Sequence, residues 1–308
     1  MSGIPVLSLK PIVDGAPSAD QAVARELLPI LRSWGAFQLV DHGVPQAAMV
    51  DAFAAAARFF RLPVEERMAI RVGRDNRGYV PMHQTHYPGN KPDLKESFNV
   101  GRLALTPDDP DVKAGKPLHG VNRWPTLDGF RGPVEAYFNA VTTLGDRLLG
   151  PLAICLDMTP AALRARYGKP IAFMRLFHYP PDSNVDEKEF GAAEHKDYGF
   201  LTILAQDANG GLEVCSPDNG LVPVPPRTDA FVINVGDMLS EITGGRFCSP
   251  LHRVVNRSGV ARYSIPYFFD PDFDATFDAM PDVSAGQYLL NKFDKFYKYR
   301  QQQAASAS

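Results

Sequence analysis

Phe200-Leu201-Thr202-Ile203-Leu204-Ala205-Gln206 is a run of apolar and β-branched residues that stops at Asp207-Ala208-Asn209-Gly210-Gly211. Such a run has the length of a strand and is too short for a helix, and the Asp/Asn/Gly cluster behind it is a turn signal. Comparable segments stand on both sides: Ile171–Tyr179, Leu212–Val214, Phe231–Val235, Met238–Thr243, His252–Asn256 and Arg262–Phe269, each bounded by turn residues. Short strands at this spacing predict an all-β sandwich or barrel for the second half of the chain.

Outward from that block the period changes. Val23, Leu27, Leu28 and Leu31 recur at helical spacing, and so do Val50, Phe53, Ala57 and Phe60 within a second segment from Pro45 to Phe60. A longer helix is predicted from about Pro133 to Leu156, with Val134, Phe138, Val141, Leu144 and Leu148 turned to the core, and a last one within Gly286–Gln303. The stretch from Arg71 to Pro125 is rich in Gly, Pro, Asn and Asp, and reads as long connections carrying short strands. The predicted fold class is therefore an all-β core with flanking helices, a barrel or jelly roll. Residues 1–130 form an N-terminal helical and mixed region packed on the barrel, residues 131–308 form the core with its C-terminal helix, and the two make one compact unit.

Composition narrows the function classes. The 308 residues carry a formal net charge of −3, so no electrostatic footprint for nucleic acid or an acidic membrane is expected. No apolar run approaches the length of a membrane span, and the N-terminus lacks the basic-then-apolar pattern of a secretory signal. Three separated cysteines, Cys155, Cys215 and Cys248, without a CxxC pair, point to reduced thiols and a cytoplasmic location. The expected partner is a small-molecule substrate.

Chemistry enters with His195-Lys196-Asp197. In an extended segment residues i and i+2 share a face, which sets an imidazole beside a carboxylate. Alone, an H-x-D arises by chance about as often as not in a chain of this composition. A second histidine, His252, stands at the mouth of another predicted strand, and ten residues on come Arg262-Tyr263-Ser264, again an i, i+2 pair. Two imidazoles and one carboxylate are the facial ligand set of non-haem iron(II) oxygenases, and a guanidinium beside a hydroxyl suits a carboxylate ligand.

The order H-x-D, then His, then R-x-S resembles the isopenicillin N synthase-like 2-oxoglutarate/Fe(II)-dependent dioxygenase family. Trp34-Gly35-Ala36-Phe37-Gln38-Leu39-Val40-Asp41-His42-Gly43-Val44, Phe59-Phe60-Arg61-Leu62-Pro63, Gly210-Gly211-Leu212-Glu213-Val214 and Asn234-Val235-Gly236-Asp237 are similar to further segments of that family. Gly115-Lys116-Pro117-Leu118-His119-Gly120, Trp124-Pro125 and Thr243-Gly244-Gly245 look closer to its bacterial members, including the ethylene-forming enzyme. Lys196 stands where Thr is common, and Phe177 where the family often has Asn.

The resemblance implies a double-stranded β-helix (jelly roll) and a set of roles. Fe(II) would sit on His195, Asp197 and His252. The cosubstrate 2-oxoglutarate would reach Arg262 and Ser264 with its distal carboxylate, with Tyr179 and Arg175 near its other end. O2 would oxidise the substrate with release of succinate and CO2. Tyr79, His83, His86 and Tyr198 are candidates for the substrate pocket. Three alternatives stay open: an Fe(II) oxidase of the same fold that does not use 2-oxoglutarate, ethylene formation from 2-oxoglutarate itself, and a non-catalytic metal- or metabolite-binding module.

Overall fold

A computed structural model describes residues 3–85, 89, 91–181, 190–297 and 299–300. Twelve strands are present among them: β1 Val6–Ser8, β2 Ala36–Val40, β3 Gly78–Val80, β4 Glu96–Gly101, β5 Pro170–Tyr179, β6 Ala192–His195, β7 Leu201–Gln206, β8 Leu212–Ser216, β9 Gly220–Pro223, β10 Phe231–Val235, β11 His252–Val254 and β12 Arg262–Asp272. They form a sheet of eight in the order β1-β2-β10-β7-β12-β5-β4-β3 and a sheet of four in the order β6-β11-β8-β9. The two sheets and their flanking helices make the β-sandwich core of a double-stranded β-helix.

The strand period explains which residues reach the interior. Along β5, Ile171, Phe173, Arg175, Phe177 and Tyr179 line the central cavity, whereas Met174 and Leu176 join the large apolar core. Along β12, Arg262, Ser264, Pro266, Phe268 and Asp270 line the cavity, while Ile265, Tyr267 and Phe269 face that core. This is the two-residue alternation of a strand with two different environments on its faces. Strands β7 and β10 are buried at every position because both their faces are covered, which is why they read as continuous apolar runs.

The helix Arg131–Cys155 covers the outer face of the large sheet. Its Gly145 sits so close to β12 that a Cβ there would come within 2.9 Å of the Phe269 ring. Thr142 and Tyr267 hydroxyls meet at 2.7 Å, and Phe138 packs edge-on against the Tyr267 ring at 5.1 Å. The apolar cluster that results runs from Leu7 to Tyr299. Burying each of its large side chains contributes roughly 1.5–3 kcal/mol, so the helix–sheet seam is a main source of cohesion.

One expected strand is a helix. Met238–Thr243 coincides with the helix Asp237–Ile242 and its C-cap Thr243, entered from Gly236 in extended conformation. The first amides of a helix lack intrahelical partners, and here they donate outward. Asp237 N–H reaches the Asp197 carbonyl at 2.7 Å, and Met238 N–H is shared between the carbonyls of Tyr198 and Gly199. The run Met238, Leu239, Ile242 satisfies helical spacing, and this tertiary anchoring decides the outcome. The connection from Arg71 to Pro125 carries two short strands, β3 and β4, and the C-terminal helix spans Ala285–Phe296. None of the described helices is long and apolar enough to cross a membrane.

Candidate active site

Strand β6 ends on His195 and β11 begins on His252, and the two are directly opposed partners in the antiparallel pairing. Their ring centroids lie 4.3 Å apart at an interplanar angle of 52°. Asp197 follows two residues beyond the end of β6. One ligand atom from each of His195, Asp197 and His252 lies within 4.8 Å of the others, with His252 Nε2 3.7 Å from Asp197 Oδ1.

The surroundings orient each donor. His195 Nδ1 stands 2.7 Å from the Ala193 carbonyl, and His252 Nδ1 stands 3.2 Å from the Pro250 carbonyl. A carbonyl only accepts, so both Nδ1 atoms carry a proton and the Nε2 atoms are the ones turned to the metal site. Burial, and after it the His252 and Lys95 charges, hold the His195 pKa well below its ordinary value, which keeps the ring in the neutral, ligating form. Asp197 is fixed at both ends: its Oδ2 accepts from Asn234 Nδ2 at 3.3 Å, and its carbonyl accepts from the helix amide described above. Two imidazoles and a carboxylate so arranged fit a divalent iron and leave room for further ligands.

The same cavity holds a fully buried cation. Arg262 is completely inaccessible to solvent; its Nε donates to the Gly210 carbonyl at 2.5 Å and its Nη2 to Gln206 Oε1 at 3.3 Å. Its Nη1 has no partner among the described residues. The guanidinium carbon lies 4.9 Å from the centroid of the Tyr179 ring. The Gly210-Gly211 turn passes tightly beneath: Gly211 has φ +89°, and a Cβ on it would meet the Val255 carbonyl oxygen at 2.5 Å. Ser264 follows on the same face of β12, buried. An unsatisfied, buried guanidinium N–H beside a hydroxyl fits an incoming carboxylate such as that of 2-oxoglutarate.

The remaining expected site residues divide. Arg175 and Tyr198 line the cavity. Arg175 donates to the Tyr297 hydroxyl at 2.8 Å, and Tyr198 stacks on Phe296 at 5.5 Å. Tyr79 is not among the cavity-lining residues: its hydroxyl donates to Glu96, which also binds Arg67, and its ring packs on Phe59. His83 is exposed, with φ +63°, and its amide bonds the Asp93 carbonyl. His86 lies outside the described residues. Residues unforeseen as site members are Asn234, which holds Asp197, and Arg77, Phe173, Phe268, Phe293 and Tyr297, which line the cavity. Asn234 was legible only as part of Asn234-Val235-Gly236-Asp237. Tyr297 reaches Arg175 from far along the chain, and no local pattern announces that contact.

A jelly roll with a His-Asp-His facial triad and a buried arginine in the same cavity is the arrangement of a non-haem iron oxygenase. Comparison with known proteins agrees. Residues 4–127 match the family described as non-haem dioxygenase in morphine synthesis N-terminal, and residues 162–271 match the 2OG-Fe(II) oxygenase superfamily. The 2-oxoglutarate-dependent dioxygenase citB of Monascus ruber is 37% identical over 88% of this chain and 85% of its own length. The 2-oxoglutarate-dependent dioxygenase caaD of Aspergillus niger is 34% identical over 96% of this chain and 93% of its own. Among solved structures, a full-length Neurospora crassa protein in complex with alpha-KG superposes with a TM-score of 0.81 at 25% identity, covering 94% of this chain and 95% of that one. The chain belongs to the 2-oxoglutarate/Fe(II)-dependent dioxygenase family, and it is an oxidoreductase that uses Fe(II) and 2-oxoglutarate on a small organic substrate. These relatives are fungal, which corrects the expectation of a bacterial member with some similarity to the ethylene-forming enzyme.

Proposed function

We propose that His195, Asp197 and His252 hold the iron, and that Arg262, Ser264 and Tyr179 receive 2-oxoglutarate, with the distal carboxylate on Arg262 and Ser264. The observation that carries the cosubstrate assignment is the Arg262 Nη1, a buried guanidinium N–H without a partner among the described residues, in the cavity that the triad also lines. Leaving such a donor unmet is costly, and a carboxylate oxygen removes that cost. Bound iron and 2-oxoglutarate supply the oxidising power, with succinate and CO2 as co-products when O2 is consumed. The chain's own work is to hold and exclude. Asn234 keeps one oxygen of Asp197 engaged, so the other faces the two imidazoles. Phe177, Leu204, Leu212 and Val254 line the cavity as apolar wall and limit water around the reacting centre. Arg175 stands with Tyr179 at the other end of the cosubstrate in this reading, and Tyr198 lines the cavity on the substrate side.

Residues 1–130 and 131–308 work as one unit in this reading, supported by the shared apolar cluster from Leu7 to Tyr299. A cytoplasmic location is supported by three free cysteines, Cys155, Cys215 and Cys248. The test is anaerobic addition of 2-oxoglutarate to the Fe(II)-loaded protein. A metal-to-ligand charge-transfer band must appear, must require both cosubstrate and iron, and must be weakened by Arg262→Met. Absence of the band in the wild type sinks the assignment.

A further inference from the structure

We propose that Asp93 is a positioning residue for the iron site. Its carboxylate fixes the backbone of Ala193, and through it the ring of His195, while Lys95 balances its charge inside the cavity. The proposal rests on the reading of His195 as a donor to iron.

The need arises from the strand that carries this ligand. β6 is the outermost strand of the smaller sheet, with β11 as its neighbour in the ladder. An edge strand leaves N–H and C=O groups open on its outer side, and Ala192-Ala193-Glu194-His195 has weak intrinsic preference for extension. The segment before β4 lies along β6 and takes up such groups. Leu94 N–H donates to the Phe190 carbonyl at 2.9 Å, and Ala193 N–H donates to Asp93 Oδ1 at 3.0 Å. In extended backbone the N–H and C=O of one residue point the same way. The Ala193 carbonyl in turn accepts from His195 Nδ1 at 2.7 Å. Asp93, Ala193 and His195 are thus joined by two successive hydrogen bonds, and a rotation of the Ala193 backbone would carry the imidazole with it.

Asp93 is itself held firmly. It is buried, its N–H donates to the Thr85 carbonyl at 2.9 Å, and its carbonyl accepts from His83 N–H at 3.3 Å. Its second carboxylate oxygen, Oδ2, lies 2.6 Å from Lys95 Nζ. The β4–β5 register brings Lys95 there. Glu96 stands opposite His178 and bonds it at 2.8 Å, so Lys95, one residue earlier, turns to the other face. That face is the cavity: Lys95 lines it with the triad, and its ammonium is 5.2 Å from the Phe177 ring centroid. A buried carboxylate stays charged only when paired, and two apolar side chains of the same volume would often be no less stabilising than such a pair. What apolar side chains cannot supply is an acceptor for the Ala193 amide.

The test loads the full chain with Co(II), which turns the ring N–H protons of ligating histidines into hyperfine-shifted, solvent-exchangeable NMR signals. The wild type should show one such signal from each of His195 and His252. Two variants, both free of the charge pair, are then compared. Asp93→Asn/Lys95→Met keeps a side-chain oxygen for the Ala193 amide, whereas Asp93→Leu/Lys95→Met, of similar shape, does not. The asparagine variant should keep both signals and a Co(II) affinity close to that of the wild type. The leucine variant should shift one signal or lose it to solvent exchange, keep the other, and bind Co(II) roughly tenfold or more weakly. Wild-type signals and affinity in a folded leucine variant overturn the proposal. Loss of a signal in the asparagine variant overturns it as well, and that measurement decides if the leucine variant does not fold. A wild type without the two exchangeable signals fails at the metal reading; one that has them, with both variants unchanged, fails only here.

Discussion

Arg262 and Tyr179 are opposed partners across the β12–β5 pairing, and the guanidinium of one lies over the ring of the other at 4.9 Å. The strand pairing therefore sets the cation's position before any ligand arrives, and the aromatic face shields it from water without neutralising it. Truncating one side of a buried charged contact costs about 2–5 kcal/mol, or roughly 30-fold and upward in affinity. Arg262→Met is expected to raise the Kd for 2-oxoglutarate by at least that factor while leaving Fe(II) binding intact, as read by anaerobic absorption titration. Unchanged 2-oxoglutarate affinity would contradict the assignment.

The metal site depends on three donors from two strands and the loop after one of them. His252→Ala removes one imidazole and leaves a buried gap beside His195. Fe(II) affinity should fall by about two orders of magnitude or more, since the chelate loses a fixed donor. Equilibrium titration with Fe(II) or Co(II) measures this directly. Treatment of the wild type with a chelator should abolish succinate formation, and added Fe(II) should restore it.

Asn234 touches the metal only through Asp197. Replacing it by Ala frees the Asp197 Oδ2 that now accepts its amide. Partners of metal ligands of this kind are commonly worth 10–100-fold in metal affinity or activity. The expected signature is a weaker Fe(II) site together with a changed Co(II) ligand-field spectrum. A variant with wild-type affinity and spectrum would show that Asp197 needs no such support.

Asp270 supplies a pH dependence with a defined sign. Burial, opposed by the Phe200 amide and reinforced by the Asp197 charge, pushes its pKa up to about 7 from 3.8. The folded state then holds the proton more tightly than the unfolded one. The stability linked to it is fully present below the unfolded value and is lost as pH rises through 7. In metal-free protein, Asp270→Asn should gain about 2 kcal/mol relative to wild type between pH 5 and pH 7, and nothing further above pH 8. Urea unfolding across that range tests it; parallel curves for the two proteins would refute it.

What could be read in the chain follows from how local each determinant is. β7, β10 and β12 are rich in Leu, Ile, Val, Phe and Tyr between them and stand out against their turns. β6, by contrast, is Ala192-Ala193-Glu194-His195, a segment of weak strand preference that is extended because β11 pairs with it. The helix Asp237–Ile242 read as a strand because its short apolar run satisfies both periods, and the bonds to the carbonyls of residues 197–199 that decide the matter are tertiary. The metal triad and the proposed carboxylate receptor follow simple spacings, H-x-D and R-x-S, imposed by strand geometry. The substrate end has no such spacing. Tyr79 looked available in a polar segment, yet its hydroxyl is taken by Glu96 of the neighbouring strand, and Arg175 meets Tyr297 only because the C-terminal helix folds back.

The opposed placement of His195 and His252 has a consequence for how this chain tolerates change in length. A one-residue slip of β11 against β6 would turn a ligand to the wrong face, so additions next to either histidine should be fatal to iron binding. The hairpin joining β8 to β9 is different. Its tip, Pro217 to Gly220, is exposed, and β9 is the edge of the smaller sheet. Extra residues grafted there enlarge the molecule without entering the ladder that aligns the two imidazoles. Within the long segment that separates the ligands, that tip is a place where the chain is free to grow.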